Sequence, residues 1–266
     1  MPNPAPHWTC DWTSPRPCVH PLRTPSGRVL TIDAPADHPW HHGLWCTIKF
    51  VDGDNFWEEY GEYGTHRVVT TSSDDLGVHA VIEWVRPNGS TVALDERRTI
   101  VEATLGPDAY ALDWTVELAP RAATTFDRTP FTTWGGYGGL TLRGAPDWTD
   151  SDIRLADSEQ HHDRVLGTPA RWAAISGTID GEAVTVAVFD HPTNPRFPTP
   201  WYASNRADTY GDGWANFMNA AFLWDGPITH AGPPHPPLVL RHRVVVADGT
   251  ITNETLDAWW HDWTTP

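Results

Sequence analysis

Apolar residues recur at every second position through most of this chain, and that periodicity points to β-strands with one buried face. In residues 109–118, AYALDWTVEL, one face carries Tyr110, Leu112, Trp114, Val116 and Leu118, and the other carries Asp113, Thr115 and Glu117. Side chains alternate across a strand, so this pattern reads as a half-buried β element. Residues 238–246 repeat it, with Leu238, Leu240, Val244 and Val246 opposite Val239, Val245 and two arginines, and with His242 on the apolar side. Segments 77–86, 91–104 and 171–189 also read as strands, and Asp180-Gly181 carries the signal of a tight hairpin. The 25 prolines and 21 glycines supply frequent turns and leave little room for long helices.

Only the C-terminus has helical spacing. Leu256, Trp259, Trp260 and Trp263 fall at i, i+3, i+4 and i+7, which predicts a helix over about 253–263 begun near Thr252 or Asn253. Its aromatic stripe is expected to staple the tail onto the sheets. With no linker, repeat or low-complexity segment, residues 1–266 are expected to form one all-β domain, an antiparallel β-sandwich closed by that helix.

Net charge is −16, with 17 arginines and one lysine, which argues against nucleic acid or an anionic membrane as the main partner. Cys10, Cys18 and Cys46 are odd in number and widely spaced, unlike a disulfide framework or a zinc knuckle. No apolar run approaches the roughly 18 residues of a membrane span, and the N-terminus lacks a charged-then-apolar signal pattern. A soluble, cytoplasmic protein is therefore expected; the sequence does not fix its oligomeric state.

Chemistry concentrates in a few places. Residues 37–45, Asp-His-Pro-Trp-His-His-Gly-Leu-Trp, hold His38, His41 and His42 beside a carboxylate and two tryptophans. Imidazoles titrate near neutrality and serve as acids, bases or metal ligands. Adjacent histidines point apart in an extended segment, so at most two of the three are expected to converge. A zinc ion would need a third protein ligand, for which Asp190-His191 is the candidate; a divalent metal therefore remains open. Arg23 lies just upstream, and Glu58-Glu59 follow Phe56-Trp57.

Residues 190–202 form the second group, with Asp190 and His191 delivered to a sheet rim by the strand VTVAVFD. Prolines then hold the chain stiff, which suits presentation of Asn194, Arg196 and Trp201 to a ligand or a purely structural connection. A glycine-rich segment, Trp134 to Leu140, contains Tyr137 and reads as a bulged strand or a close-approach loop. Asp212 to Asn219 adds Trp214, Asn216 and Asn219. Neither a phosphate-cradling glycine loop nor a G-x-S-x-G elbow is present.

Taken in order, RPCVHPLRTPSGRVL, DHPWHHGLW, GGYGGLTLR and DHPTNPRFPTPW resemble a widespread bacterial domain family of unknown function whose members are often named "methane oxygenase PmoA". The resemblance runs from about Arg16 to Gly249. It implies a β-sandwich like the galactose-mutarotase supersandwich and, because members commonly occur beside sugar oxidoreductases and transporters, a place in carbohydrate metabolism. It transfers no catalytic residues. The motif positions it maps are Arg23, Asp37, His38, His41, His42, Trp45, Trp57, Tyr137, Asp190, His191, Asn194, Arg196 and Trp201. The family motif reads HPHHRGLW or HPHHHGLW, so this chain departs from it at Trp40.

These readings lead to one principal expectation and two alternatives. The principal one is an enzyme doing histidine and carboxylate acid–base chemistry (epimerisation, elimination or hydrolysis) on a sugar, keto-sugar or glycoside. Its expected acid/base is His41 or His42, within a catalytic set that includes His38, Asp190 and His191. Arg23, Trp45, Glu58, Tyr137, Asn194, Arg196, Trp201 and Asn219 are expected to hold the substrate. The alternatives are a non-catalytic carbohydrate-binding or sensing module, and a metal-dependent, cupin-like enzyme. The 37–45 and 190–202 segments are expected to meet at one cleft.

Overall fold

The computed structural model describes residues 6–129, 137–158, 160–205 and 216–265. Its strands pair antiparallel in three sheets. The seven-stranded sheet runs, in spatial order, β1 (Trp8–Asp11), β2 (Cys18–Leu22), β3 (Leu44–Ile48), β11 (Gly138–Arg143), β17 (Phe217–Ala220), β16 (Pro200–Ser204) and β13 (Arg164–Pro169). The eight-stranded sheet runs β12 (Thr149–Leu155), β14 (Trp172–Ile179), β15 (Glu182–Asp190), β19 (Leu238–Asp248), β9 (Ala109–Pro120), β8 (Val92–Gly106), β7 (Gly77–Val85) and β6 (Thr65–Asp74). A small sheet orders β18 (Ile228–His230), β10 (Thr124–Asp127), β4 (Phe50–Val51) and β5 (Asp54–Asn55).

The alternation read from the sequence determines which faces meet. Tyr110, Leu112, Trp114, Val116 and Leu118 of β9 join Leu240, Val244 and Val246 of β19 in the main core. From the other large sheet, Leu44, Cys46 and Ile48 of β3, Leu140 and Leu142 of β11, and Trp201 and Ala203 of β16 enter the same core. The chain is thus an all-β sandwich. The hairpin between β14 and β15 turns at Asp180 and Gly181, both at positive φ (53° and 79°), the backbone that a tight two-residue hairpin requires. One helix, α1 (Asn253–Thr264), closes the chain. Thr252 caps it by accepting from the Thr255 N–H, while Leu256 and Trp260 are its buried residues.

One buried ion pair ties the sandwich to the N-terminal segment. Glu96 of β8 accepts from Arg98 Nε at 2.7 Å and from Trp84 Nε1 at 2.8 Å, and Arg98 Nη1 reaches across to the Pro17 carbonyl. Both charged residues are essentially unexposed, so each is stable there only because the other is present. We expect Glu96→Ala to cost roughly 3–5 kcal/mol, whereas Glu96→Met combined with Arg98→Met should be far milder. Urea midpoints of the two variants test this; equal losses would refute it.

Candidate functional site

The strand alternation that fills the main core leaves a second row of side chains on the opposite face of the seven-stranded sheet. Cys18, Trp45, Thr141, Asn219, Tyr202 and Leu166 sit directly opposite one another across six neighbouring strands. Cys18, Trp45, Trp57, Tyr202, Phe217 and Ala221 form a buried cluster there, with Trp40 and Tyr137 packed against it. Within it, Tyr137 stacks on Trp57 at 4.7 Å and 13°.

The histidine-rich segment runs onto this face by way of turns. His38 N–H donates to Pro35 O, His41 N–H to His38 O, and Ala34 N–H to His41 O. Gly43 follows at φ +58°, where a Cβ would meet the Val19 carbonyl oxygen at 2.7 Å, so glycine is required to swing the chain into β3. Beside it lies a cavity of about 320 Å³ lined by His38, Trp40, His41, Trp57, Glu58, Thr129 and Tyr137.

Two imidazoles on this wall are held in opposite tautomers. His38 Nδ1 lies 2.8 Å from Asp37 Oδ2. Asp37 is held in turn by Arg143 Nη2 at 3.1 and 2.8 Å; partial burial would raise its carboxyl, but the His38 hydrogen bond and then the Arg143 contacts keep it below the usual range. A carboxylate only accepts, so Nδ1 of His38 carries the proton and Nε2 becomes the basic nitrogen. His41 Nδ1 instead lies 3.3 Å from Arg143 Nη1. Arginine only donates, so this Nδ1 accepts and Nε2 carries the hydrogen. Burial, reinforced by the Arg143 guanidinium, pushes the His41 pKa well down, keeping the ring neutral. The two rings stack at 4.7 Å and 18°.

His42 turns to different partners. Its Nδ1 meets Asp33 at 2.7 Å and Ser14 Oγ at 3.2 Å, and its Nε2 meets Glu59 at 3.0 Å. Burial alone would depress its pKa, but the hydrogen bonds and charges of the two carboxylates raise it. Glu58, on the cavity wall, is ion-paired with Lys49, the only lysine in the sequence.

Of the expected substrate-holding residues, Glu58 and Tyr137 line the cavity, and Trp45 packs 5.3 Å from His41 in its wall. Asn219 is buried beneath, its Nδ2 bonded to Thr141 Oγ1 at 2.8 Å, while its Oδ1 has no hydrogen-bond partner among the described residues. Arg23 is elsewhere, its Nη1 on the Gly27 carbonyl and its own carbonyl accepting from the Tyr110 hydroxyl.

The 190–202 segment turns Asp190, Asn194 and Arg196 to partners within the protein, and none of its residues is among the described ones that line the cavity. Asn194 Nδ2 donates to Asp190 Oδ1 at 2.7 Å and to Arg241 O at 2.6 Å, and Asn194 Oδ1 accepts from Arg241 N–H at 2.7 Å. Arg196 donates to the carbonyls of Phe222, Gly226 and Pro227. Trp201 is fully buried with Nε1 on Ala170 O, and His191 bonds Thr193 and packs on Trp263. Only as the chain enters β16 does it reach the aromatic face, through Tyr202. Of the two weaker groups, Trp134 to Gly136 and Asp212 to Ala215 lie outside the described residues.

Among the described residues no group of three or more His, Cys, Asp or Glu side chains is placed to hold a metal ion. The three thiols are free of disulfides, and burial pushes those of Cys10 and Cys46 up to about 12, too high for a thiolate nucleophile near neutrality. In the sequence Asp37 and Trp57 are motif positions without a role of their own, and Arg143 merely ends the GGYGGLTLR segment. The alternation in Gly-Leu-Thr-Leu-Arg would have found Arg143, because Leu140 and Leu142 facing the core send Thr141 and Arg143 to the other side.

Fold and site together define an all-β sandwich that carries an aromatic, histidine-lined cavity on the outer face of its seven-stranded sheet. The chain belongs to the family of unknown function DUF6807, whose model matches residues 5–261. No curated protein matches it.

Proposed function

We propose that the cavity binds one ring of a neutral sugar or glycoside and that His38 and His41 carry out proton transfer at a carbon beside a carbonyl, the chemistry of epimerisation or elimination on a keto-sugar. The observation that carries this reading is the pair of stacked imidazoles in opposite tautomers on one cavity wall. A basic Nε2 on His38 suits abstraction of a C–H proton. A neutral Nε2–H on His41 suits polarisation of the adjacent carbonyl oxygen, a task for which an uncharged imidazole is competent. Tyr137, backed by buried Trp57, and Trp40 offer apolar faces to sugar C–H groups, while Thr129 and Glu58 offer polar edges.

This arrangement favours proton transfer over ordinary glycoside hydrolysis. Hydrolases use two carboxyl groups about 5–10 Å apart across the scissile bond. Among the described residues, the cavity wall has only Glu58, already neutralised by Lys49. The two large antiparallel sheets with a ligand site on an outer face fit a mutarotase-type supersandwich. A net charge of −16 suits a neutral ligand better than nucleic acid or an anionic membrane. Among the described residues no helix is long and apolar enough to cross a membrane, and three free thiols suit a reducing cytoplasm.

The test is solvent exchange. Incubated in D₂O with free sugars, glycosides and keto-glycosides, the protein should introduce deuterium at the carbon next to the carbonyl of a keto-sugar, read by proton NMR. Binding across that panel with no exchange, epimer or elimination product would identify a binding or sensing module and end the case for catalysis.

A further inference from the structure

We propose that Tyr60 and Trp40 form a second ring-binding subsite at the mouth of the cavity, so that the ligand is a glycoside carrying a second sugar ring rather than a free monosaccharide. The inference rests on the reading of the cavity as a sugar site. At about 320 Å³ the cavity is at the lower end of ligand-pocket sizes and suits one pyranose ring. A second ring must therefore lie outside it.

The surface directly outside is aromatic and prepared. Tyr60 is 63% exposed, and it is the only aromatic residue among the large apolar side chains left open on the described surface. A lone exposed tyrosine needs no explanation; what sets this one apart is continuity with the cavity. Its ring meets Trp40 edge-on at 5.3 Å and 62°, and Trp40 lines the cavity and touches His38 at 5.3 Å. A chain of ring contacts thus leads from the Trp57–Tyr137 stack, through the two imidazoles and Trp40, to Tyr60.

The segment that presents Tyr60 is also fixed from both sides. Glu58 is held by Lys49, Glu59 by His42, and Tyr63 lies under the guanidinium of buried Arg16. A platform held in place before binding loses little conformational freedom when a ring settles on it. Neither the main core nor the second aromatic cluster includes Tyr60, so its side chain has no structural duty there.

The experiment compares one-ring and two-ring probes on the intact protein. Methyl glucoside, methyl galactoside, cellobiose, maltose and lactose are titrated by calorimetry against wild type, Tyr60→Ala and Tyr60→Trp. An aromatic contact of about 0.5–1.5 kcal/mol corresponds to roughly three- to tenfold in affinity. At least one disaccharide should bind wild type tighter than its methyl glycoside by that factor. Tyr60→Ala should erase the difference while leaving the methyl glycoside within about twofold, and Tyr60→Trp should restore it. If disaccharides hold no advantage, or keep it in Tyr60→Ala, the subsite is refuted while the cavity reading stands. If no probe of either length binds, the sugar-site reading fails and the subsite falls with it.

Discussion

Replacing His38 with alanine should lower the exchange or turnover rate on the responsive keto-sugar by roughly 10²–10⁴-fold, the usual contribution of a positioned acid or base, with little change in ligand affinity. The sharper test is Asp37→Asn, which keeps the shape and leaves His38 in place. Asp37 now accepts from both His38 Nδ1 and Arg143 Nη2. Both donors reach the same oxygen, Oδ2, each at 2.8 Å, so in the variant the amide oxygen takes that place and still accepts from His38 Nδ1. What is lost is the carboxylate charge that stabilises the imidazolium formed when His38 takes up a proton. A hydrogen bond to a charged group is worth about 1.5–3 kcal/mol. We therefore expect kcat to fall by roughly 10- to 10²-fold while KM and the near-ultraviolet spectrum stay close to wild type. His38→Ala and Asp37→Asn should not be additive, since both act on one function. An Asp37→Asn protein with kcat unchanged would show that His38 is not the base.

The fold was legible because one periodicity recurs throughout. Tyr110 to Leu118 and Leu238 to Val246 announce their buried faces, and a sandwich follows from many such strands. Thr252 and the Leu256–Trp263 spacing likewise announce α1. The site was legible only as a neighbourhood. Spacing shows that His41 and His42 are adjacent, yet their roles come from partners distant in sequence: Arg143 for His41, and Ser14, Asp33 and Glu59 for His42. A charged bridge and a neutral donor look the same in one dimension. Residues 190–202 show the converse. Asparagine and arginine in a proline-stiffened turn suit a ligand, but they suit orphaned backbone carbonyls equally well, since both uses need donors on a rigid frame. Arg196 meets three such carbonyls and Asn194 meets the backbone of Arg241. Sequence alone does not say which acceptor is within reach.

Acidification should unfold this protein steeply, because several histidines are buried in the neutral form. Burial, reinforced by neighbouring positive charge, holds His41 and His66 well below the ordinary histidine value, His66 against the ring of Trp84 at 4.2 Å. A depressed histidine stabilises the fold above its unfolded pKa of about 6.5 and loses that contribution as pH falls toward its folded value. The Asp190–His242 pair, 3.8 Å apart and buried, behaves differently. Burial raises Asp190 to about 7 and lowers His242 to about 3, so between those limits the folded pair carries one proton. The unfolded pair also carries one, on histidine rather than aspartate, from about pH 4 to 6.5. Its contributions cancel there wherever the folded proton resides. His42, raised by its carboxylates, loses its contribution only as pH rises above 6.5. As pH falls below 6.5 the unfolded chain therefore binds more protons than the folded one, through His41 and His66 and also through His20 and His191, which burial likewise lowers. Each ring that stays neutral in the fold should cost up to about 1.4 kcal/mol of stability per pH unit, so two such rings alone remove a large part of a typical domain's 5–15 kcal/mol within two units. Urea unfolding at half-unit steps of pH measures the slope. His66→Gln, which removes one titrating ring outside the cavity, should make it shallower by up to about 1.4 kcal/mol per pH unit even if it lowers stability overall. A slope near zero in the wild type, or one that His66→Gln leaves unchanged, would mean that these rings take up protons without unfolding.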